Sequence, residues 1–210
     1  MNMKLGLIGL TLAAIALSGC ATMSADECAA TDWMTVGYED GVRGYTADRI
    51  GQHRKACAKH GVTPDFAAYK SGREQGLREY CQPGRGFDVG SHGGRYYGVC
   101  NATLEADFLD AYNAGYQLYT LRSNVNRANS QINARQNELD NIDEDIRNAQ
   151  ARLIAPETTT EERIMLLAEL KDLSERTGEI ETELVELYDA RARYQVELEN
   201  YQIAVADLGY

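Results

Sequence analysis

The stretch LYTLRSNVNRANSQINARQNELDNIDEDIRNAQARL, residues 118–153, sets Leu118, Leu121, Val125, Ala128, Ile132, Arg135, Leu139, Ile142, Ile146, Ala149 and Leu153 at alternating spacings of three and four. This is a heptad seam sustained over five repeats, with Arg135 its one polar member, and it predicts a long helix packed on another helix. Ala155-Pro156-Glu157 stops it, because proline cannot continue a helix. Thr159 and Glu162 then stand as a capping box for the next one. A second seam follows through Leu166, Leu170, Leu173, Thr177, Ile180, Leu184, Leu187, Arg191, Tyr194, Leu198, Tyr201, Val205 and Leu208.

Each seam implies a helix of about fifty residues, or roughly 75 Å at 1.5 Å per residue. The short turn near 155–160 makes the two antiparallel neighbours, so residues 118–210 read as a coiled-coil hairpin with Pro156 and Glu157 at a docking tip. This register puts Arg135 opposite the Thr177 and Glu179 region, and Arg191 near Asn124 and Val125. Gly178 marks a soft point in the second helix. Tyr194 and Tyr201 are bulky for a two-helix seam, so a homodimer through the coiled coil stands as an alternative to a single hairpin.

The chain has 210 residues and a formal charge of −11, enough for one moderate core. The acidity excludes nucleic acid as an expected partner, since phosphate neutralisation needs a basic face. The charge is uneven: residues 20–102 hold ten Lys/Arg and ten Asp/Glu, while residues 103–210 hold ten and twenty-two. Most of that acid reads as the solvated face of the hairpin.

Residues 1–19 read as a signal peptide, with Lys4 ahead of an apolar run from Leu5 to Leu17. The run is too short for an ordinary membrane span. Leu17-Ser18-Gly19-Cys20 resembles a bacterial lipobox, which makes Cys20 the expected lipidation site and new N-terminus. Buried methylenes contribute roughly 0.8 kcal/mol each, so two or three acyl chains anchor a protein stably. Ala21, rather than Asp, follows the cysteine, and by resemblance to Gram-negative sorting this implies the outer membrane, facing the periplasm. Residues 20–31 read as the lipidated N-terminus and a linker.

Between the anchor and the hairpin, residues 32–117 form a head rich in Cys, Gly and Tyr. Cys28, Cys57, Cys81 and Cys100 are an even set in an exported chain, which favours disulfides over metal ligands. Asp32, Asp48 and Pro64-Asp65 open helices ending near Gly44, Gly61 and Tyr80. If the first two pack antiparallel, Cys57 returns beside Cys28, and the expected pairs are Cys28–Cys57 and Cys81–Cys100. An aromatic-x-x-Gly unit recurs at Tyr38/Gly41, Tyr69/Gly72, Phe87/Gly90 and Tyr112/Gly115, at irregular intervals that argue against a solenoid. Tyr69, Gly72, Gly76 and Tyr80 fall on one helical face, where glycine costs about 1 kcal/mol against alanine and needs a compensating reason, either close helix–helix approach or a tyrosine-lined groove for a glycan or peptide. Residues 84–98, with six glycines, read as a loop held by the second disulfide.

Trp33, Gly37-Tyr38, Asp40-Gly41, Gly44, Cys57, Pro64-Asp65, Tyr69, Gly72-Arg73, Gly76-Leu77, Tyr80-Cys81, Pro83, Tyr97 and Cys100 together resemble an uncharacterised family of Gram-negative lipoproteins, domain of unknown function 2799. The resemblance runs from about Cys28 to Tyr119. It implies an envelope lipoprotein with a compact cysteine-bearing head and transfers no catalytic residue.

No nucleophile elbow, phosphate loop, dinucleotide fingerprint or zinc spacing occurs, so neither an enzyme nor a cofactor is expected. The expected fold is mainly α, a small disulfide-stapled helical head followed by the hairpin. The expected function is a structural or interaction role in the periplasm, anchored to the membrane by lipid and docking to an envelope protein. The competing expectation is a ligand-binding head in which Tyr69, Arg73, Tyr80, Tyr96 and Tyr97 line a surface for a glycan, muropeptide or lipid.

Overall fold

The computed structural model describes residues 23–207 and Gly209; the signal peptide, Cys20 and Leu208 of the second seam lie outside the described residues. The described chain is helical: α1 (Ala25–Ala30), α2 (Trp33–Val42), α3 (Arg49–Ala58), α4 (Phe66–Tyr80), α5 (Pro83–Ser91), α6 (Ala102–Ile154) and α7 (Thr160–Asp207). The expected N-caps Asp32 and Asp65 are in place, accepting from the backbone N–H groups of Met34 and Ala68. Gly61 ends α3 with φ +72°.

Two disulfides form, Cys28–Cys57 and Cys81–Cys100, as expected, with Cα–Cα distances of 5.5 and 5.6 Å. The packing behind them differs from expectation. The helix that packs on α2 is α4, not α3, and the pair runs parallel. Gly37 lies against the carbonyl of Tyr69, Gly41 against that of Arg73, and Gly44 under the ring of Tyr80, so numbering rises along both helices together. A parallel pair needs a return connection as long as the helices themselves. Residues 43–65, including α3, supply it, and the Cys28–Cys57 bridge ties it back to the start of α2.

Glycines let these backbones touch. A Cβ built on Gly37 would stand 2.0 Å from the Tyr69 carbonyl oxygen, and one on Gly72 1.8 Å from that of Met34. Gly41 and Gly76 complete a reciprocal set, at 2.4 Å from Arg73 O and 2.2 Å from Tyr38 O. Any side chain at these positions must push the helices apart, and their contact brings Cα–H groups against carbonyl oxygens.

The same unit then repeats. Gly37 and Gly41 of α2, with Gly44 just past its end, recur as Gly86 and Gly90 of α5, with Gly93 just past its end. Tyr69, Gly72, Gly76 and Tyr80 of α4 recur as Phe108, Ala111, Gly115 and Tyr119 of α6. Contacts correspond one to one: Gly86 meets Phe108 O, Gly90 meets Tyr112 O, Gly115 meets Phe87 O, and Tyr119 covers Gly93. Gly44 and Gly93 both hold φ +71°, a left-handed terminus that glycine adopts without strain. In the second unit the return is a short loop, residues 92–101, so the two repeats differ in length and the sequence intervals look irregular. Residues 84–98 are therefore not a loop throughout. Residues 83–91 form α5, because burial of Gly86 and Gly90 against α6 outweighs their poor helix propensity.

Nothing interrupts α6 between the second unit and the hairpin, so the change of pattern at Leu118 is a change of packing partner within one helix. Every described seam position of both helices is buried or half-buried. The turn forms where expected, with the Glu162 carboxylate accepting from Thr159 N–H at 2.9 Å and the Thr159 hydroxyl oxygen accepting from Glu162 N–H at 3.2 Å. Arg163 donates across the turn to the carbonyls of Leu153 and Ala155. Tyr201 donates to Ala114 O at 3.0 Å, bringing α7 back to the head. Arg135 finds its carboxylate on Glu183 (2.6 Å) and on Glu138, one helical turn beyond the expected Thr177 and Glu179 region. Arg176 joins Glu138 to Glu179, so four side chains from both helices interlock around Glu138.

Gly76→Ala, at a position that is glycine in both units, should destabilise the head by about 2–3 kcal/mol. Gly72→Ala should cost at least as much, since an added methyl there stands 1.8 Å from the Met34 carbonyl oxygen against 2.2 Å from that of Tyr38 at Gly76. Gly178→Ala, with nothing near its added methyl, should stabilise the hairpin by about 0.5–1 kcal/mol. Urea unfolding followed by circular dichroism checks all three. A second expectation concerns pH. Hydrogen bonds from Arg176 and then Arg135 hold the Glu138 carboxyl below the ordinary glutamate value of 4.5. A lowered carboxylate stabilises the fold above its unfolded value and loses that contribution as pH falls through the folded one. The melting temperature should therefore fall on acidification below about pH 4.5, with a shallower fall in Glu138→Gln.

Candidate functional site

The one buried charged side chain among the described residues is Asp40, at 4% exposure on the inner face of α2. Its Oδ2 accepts from the Tyr69 hydroxyl and from His53 Nε2–H, both at 2.8 Å. Arg49 Nε lies 3.9 Å from Oδ1. The His53 ring is flanked by Trp33 and Tyr69, with centroids 6.3 and 6.1 Å away. Burial, then the bond to Asp40, pushes the Tyr69 hydroxyl far above the usual tyrosine range. Through Asp40 three elements meet: α2, α3 and α4.

A histidine oriented by a carboxylate is part of many catalytic sets, but a reacting nucleophile must complete it. Here both His53 Nε2 and the Tyr69 hydroxyl are engaged by one oxygen, and Cys57 is in a disulfide. The cluster docks α3, whose only buried residue is Cys57. The second unit shows that the helix pair does not require it: Val89 and Phe108 stand where Asp40 and Tyr69 stand in the first. Sequence reasoning missed Asp40 because an Asp in a helix reads as surface. The signal that would have found it is the unit-to-unit alignment, where an acid faces a valine.

The residues expected to line a ligand surface are dispersed. Tyr69 and Tyr80 are buried at 2% and 4% exposure. Tyr80 packs on Phe108 with centroids 5.2 Å apart and caps Gly44. Tyr96 lies on Phe108 at 4.8 Å; its hydroxyl donates to Glu105 and accepts from Cys100 N–H. Burial drives the Tyr96 hydroxyl up to about 12. Arg73 donates through Nε and Nη2 to Tyr45 O at 3.0 and 2.7 Å, latching the turn after α2 to α4. Only Tyr97 is exposed, with the Arg95 guanidinium 5.3 Å from its ring.

The expected docking tip is exposed at Pro156 and Glu157. Around it stand large apolar side chains that no heptad seam uses: Ile154 at 80% exposure, Ile164 and Met165 at 64%, and Leu167 at 56%. The heptad pattern did not reveal them, since they lie off the seam.

Asp40→Ala should cost about 2–3 kcal/mol, because it strands the buried Tyr69 hydroxyl and His53. Asp40→Val with Tyr69→Phe, which copies the second unit, should recover part of that loss in thermal unfolding.

No curated protein and no solved structure matches the chain. One family model does, and its bounds follow the architecture, opening at the Asp32 cap of α2 and closing just before the first hairpin seam residue, Leu118. Over residues 32–117 the chain matches the family described as protein of unknown function, DUF2799, and the glycine-interlocked head is the part that carries the match.

Proposed function

We propose that this is a lipid-anchored protein of the bacterial envelope, held at the outer membrane through Cys20, that acts without catalysis as a spacer and docking arm in the periplasm. The observation that carries the reading is the tip of the hairpin. A rod of acidic surface ends in exposed Ile154, Ile164, Met165 and Leu167 around Pro156 and Glu157. Val185, Val196 and Ile203 are exposed singly farther along the rod, whereas four large apolar side chains near one turn are the denser grouping that marks an interaction site. With α6 at 53 residues, about 80 Å long at 1.5 Å per residue, this patch is carried well clear of the head. The partner is an envelope protein with an apolar groove and a basic rim, matched to the tip and to the acidic flanks of the rod. The competing ligand-binding head has less support, because Tyr69 and Tyr80 are packed into the core and Arg73 is held by Tyr45.

Two measurements test the two halves. Cys20→Ala should release the chain from the membrane fraction of cells expressing it; retention there would overturn the anchor. A photo-crosslinker at Glu157 should give one discrete adduct with another protein, lost when Ile164→Glu and Met165→Glu are combined. Adducts only between copies of the chain would indicate a self-assembled bundle instead, and no adduct would remove the docking arm.

A further inference from the structure

Residues 49–64 hold four Lys/Arg and no Asp/Glu, an isolated basic segment in an acidic chain. Most of it is α3. Ile50, His53 and Cys57 face inward, so helical spacing puts Arg54, Lys55, Ala58 and Lys59 outward, where all four are exposed. Among the described residues none of Arg54, Lys55 and Lys59 forms an ion pair, whereas Arg49 at the start of the helix approaches Asp40. Beside this face Phe66 is 62% exposed at the rim of a groove of about 470 Å³ that Ile50, Arg54 and Pro64 also line. The acids at its edges are Asp48, in the groove wall, and Asp65, whose carboxylate caps α4.

A disulfide, a packing contact and a short stretch of chain bound the distance from α3 to Cys20. Met23 packs beside Cys57, with sulfur atoms 3.9 Å apart, and Cys57 is bonded to Cys28. Only Ala21 and Thr22 lie between Cys20 and Met23, three Cα steps with a reach of at most about 11 Å. An acyl anchor on Cys20 therefore holds α3 at the bilayer surface. The surplus acid lies along α6 and α7, and charges more than about 10 Å away are screened at physiological salt.

We propose that the outward face of α3, with Phe66 beside it, rests on anionic phospholipid headgroups and so fixes how the head stands on the membrane. This rests on the lipid-anchored reading, since the anchor is what brings α3 to the surface. Basic side chains meet the phosphates, and Phe66 enters the headgroup boundary as apolar residues of interfacial helices do. Helix α6 begins beside the Cys81–Cys100 bridge, at the other end of α4 from the Cys28–Cys57 bridge, and packs on α5 and α7 rather than back along α2 to α4.

The test uses the chain from residue 20 onward, unacylated through Cys20→Ser, so that its outcome is independent of whether acylation occurs in cells. Partition is measured on vesicles of phosphatidylcholine alone and with one-third phosphatidylglycerol. Preference for the anionic vesicles at about 50 mM salt is expected, and its loss at about 500 mM. Combining Arg54→Gln, Lys55→Gln and Lys59→Gln should lower partition about a hundredfold, at roughly fivefold per basic side chain. Phe66→Ser should lower it further, and Lys171→Gln on the hairpin should leave it unchanged. Equal partition of the triple variant and its parent, or no preference for anionic vesicles, would overturn the proposal. So would binding to polyglutamate without binding to vesicles, which would assign the face to an acidic protein.

Discussion

The head depends on one contact, the backbone of one helix laid directly on the backbone of another running the same way. Gly37 and Gly41 against Gly72 and Gly76, then Gly86 and Gly90 against Ala111 and Gly115, place carbonyl oxygens where side chains would otherwise stand. Helices this close cannot be held by interdigitating side chains, since no room exists for them between the axes. The aromatic rings are displaced to the ends and flanks of each contact, where Tyr80 and Tyr119 cover the glycine termini Gly44 and Gly93. The disulfides follow from the same constraint. A parallel pair has both helix starts at one end, and each bridge joins the chain just ahead of one start to the return segment that leads to the other.

That constraint explains what could be read in advance. The hairpin was legible down to its capping box, because a heptad seam is a one-dimensional signal and its partner seam lies in the same chain. The face Tyr69, Gly72, Gly76 and Tyr80 was legible as a close-packed stripe for the same reason. Its partner was not. Which glycine face meets which depends on a three-dimensional return, and chain order suggested α3 for α2 where contact chooses α4. The helix α5 was hidden because four of its nine residues are Gly or Pro, a composition that denotes loop until the neighbouring backbone is known. Disulfide pairing came out as expected although the helix pairing behind it did not, since both arrangements return Cys57 to Cys28.

The two units also act as controls for one another. Both share glycines, ring-capped termini and a bridge, so these belong to the helix pair itself. They differ in what fills the side of the pair: a polar cluster on Asp40 with a docked helix in one, Val89 and Phe108 with a short loop in the other. Asp40, Tyr69 and His53 therefore serve α3, and α3 is the addition that distinguishes the first unit. Burying a carboxylate is costly unless it is paired and hydrogen-bonded, and here Tyr69, His53 and Arg49 offset that cost as they seat α3.

The continuity of α6 has a mechanical consequence. One helix is both a member of the second glycine-locked pair and half of the hairpin, so no hinge separates head from arm. From Leu118 to Ile154 the rod extends about 55 Å at 1.5 Å per residue, and a tilt of about ten degrees at its base sweeps the tip through roughly 10 Å. The head is thus the fulcrum of a lever. A sub-ångström slip between glycine-locked backbones is amplified at the far end, and a pull on the tip returns as torque on the glycine contacts.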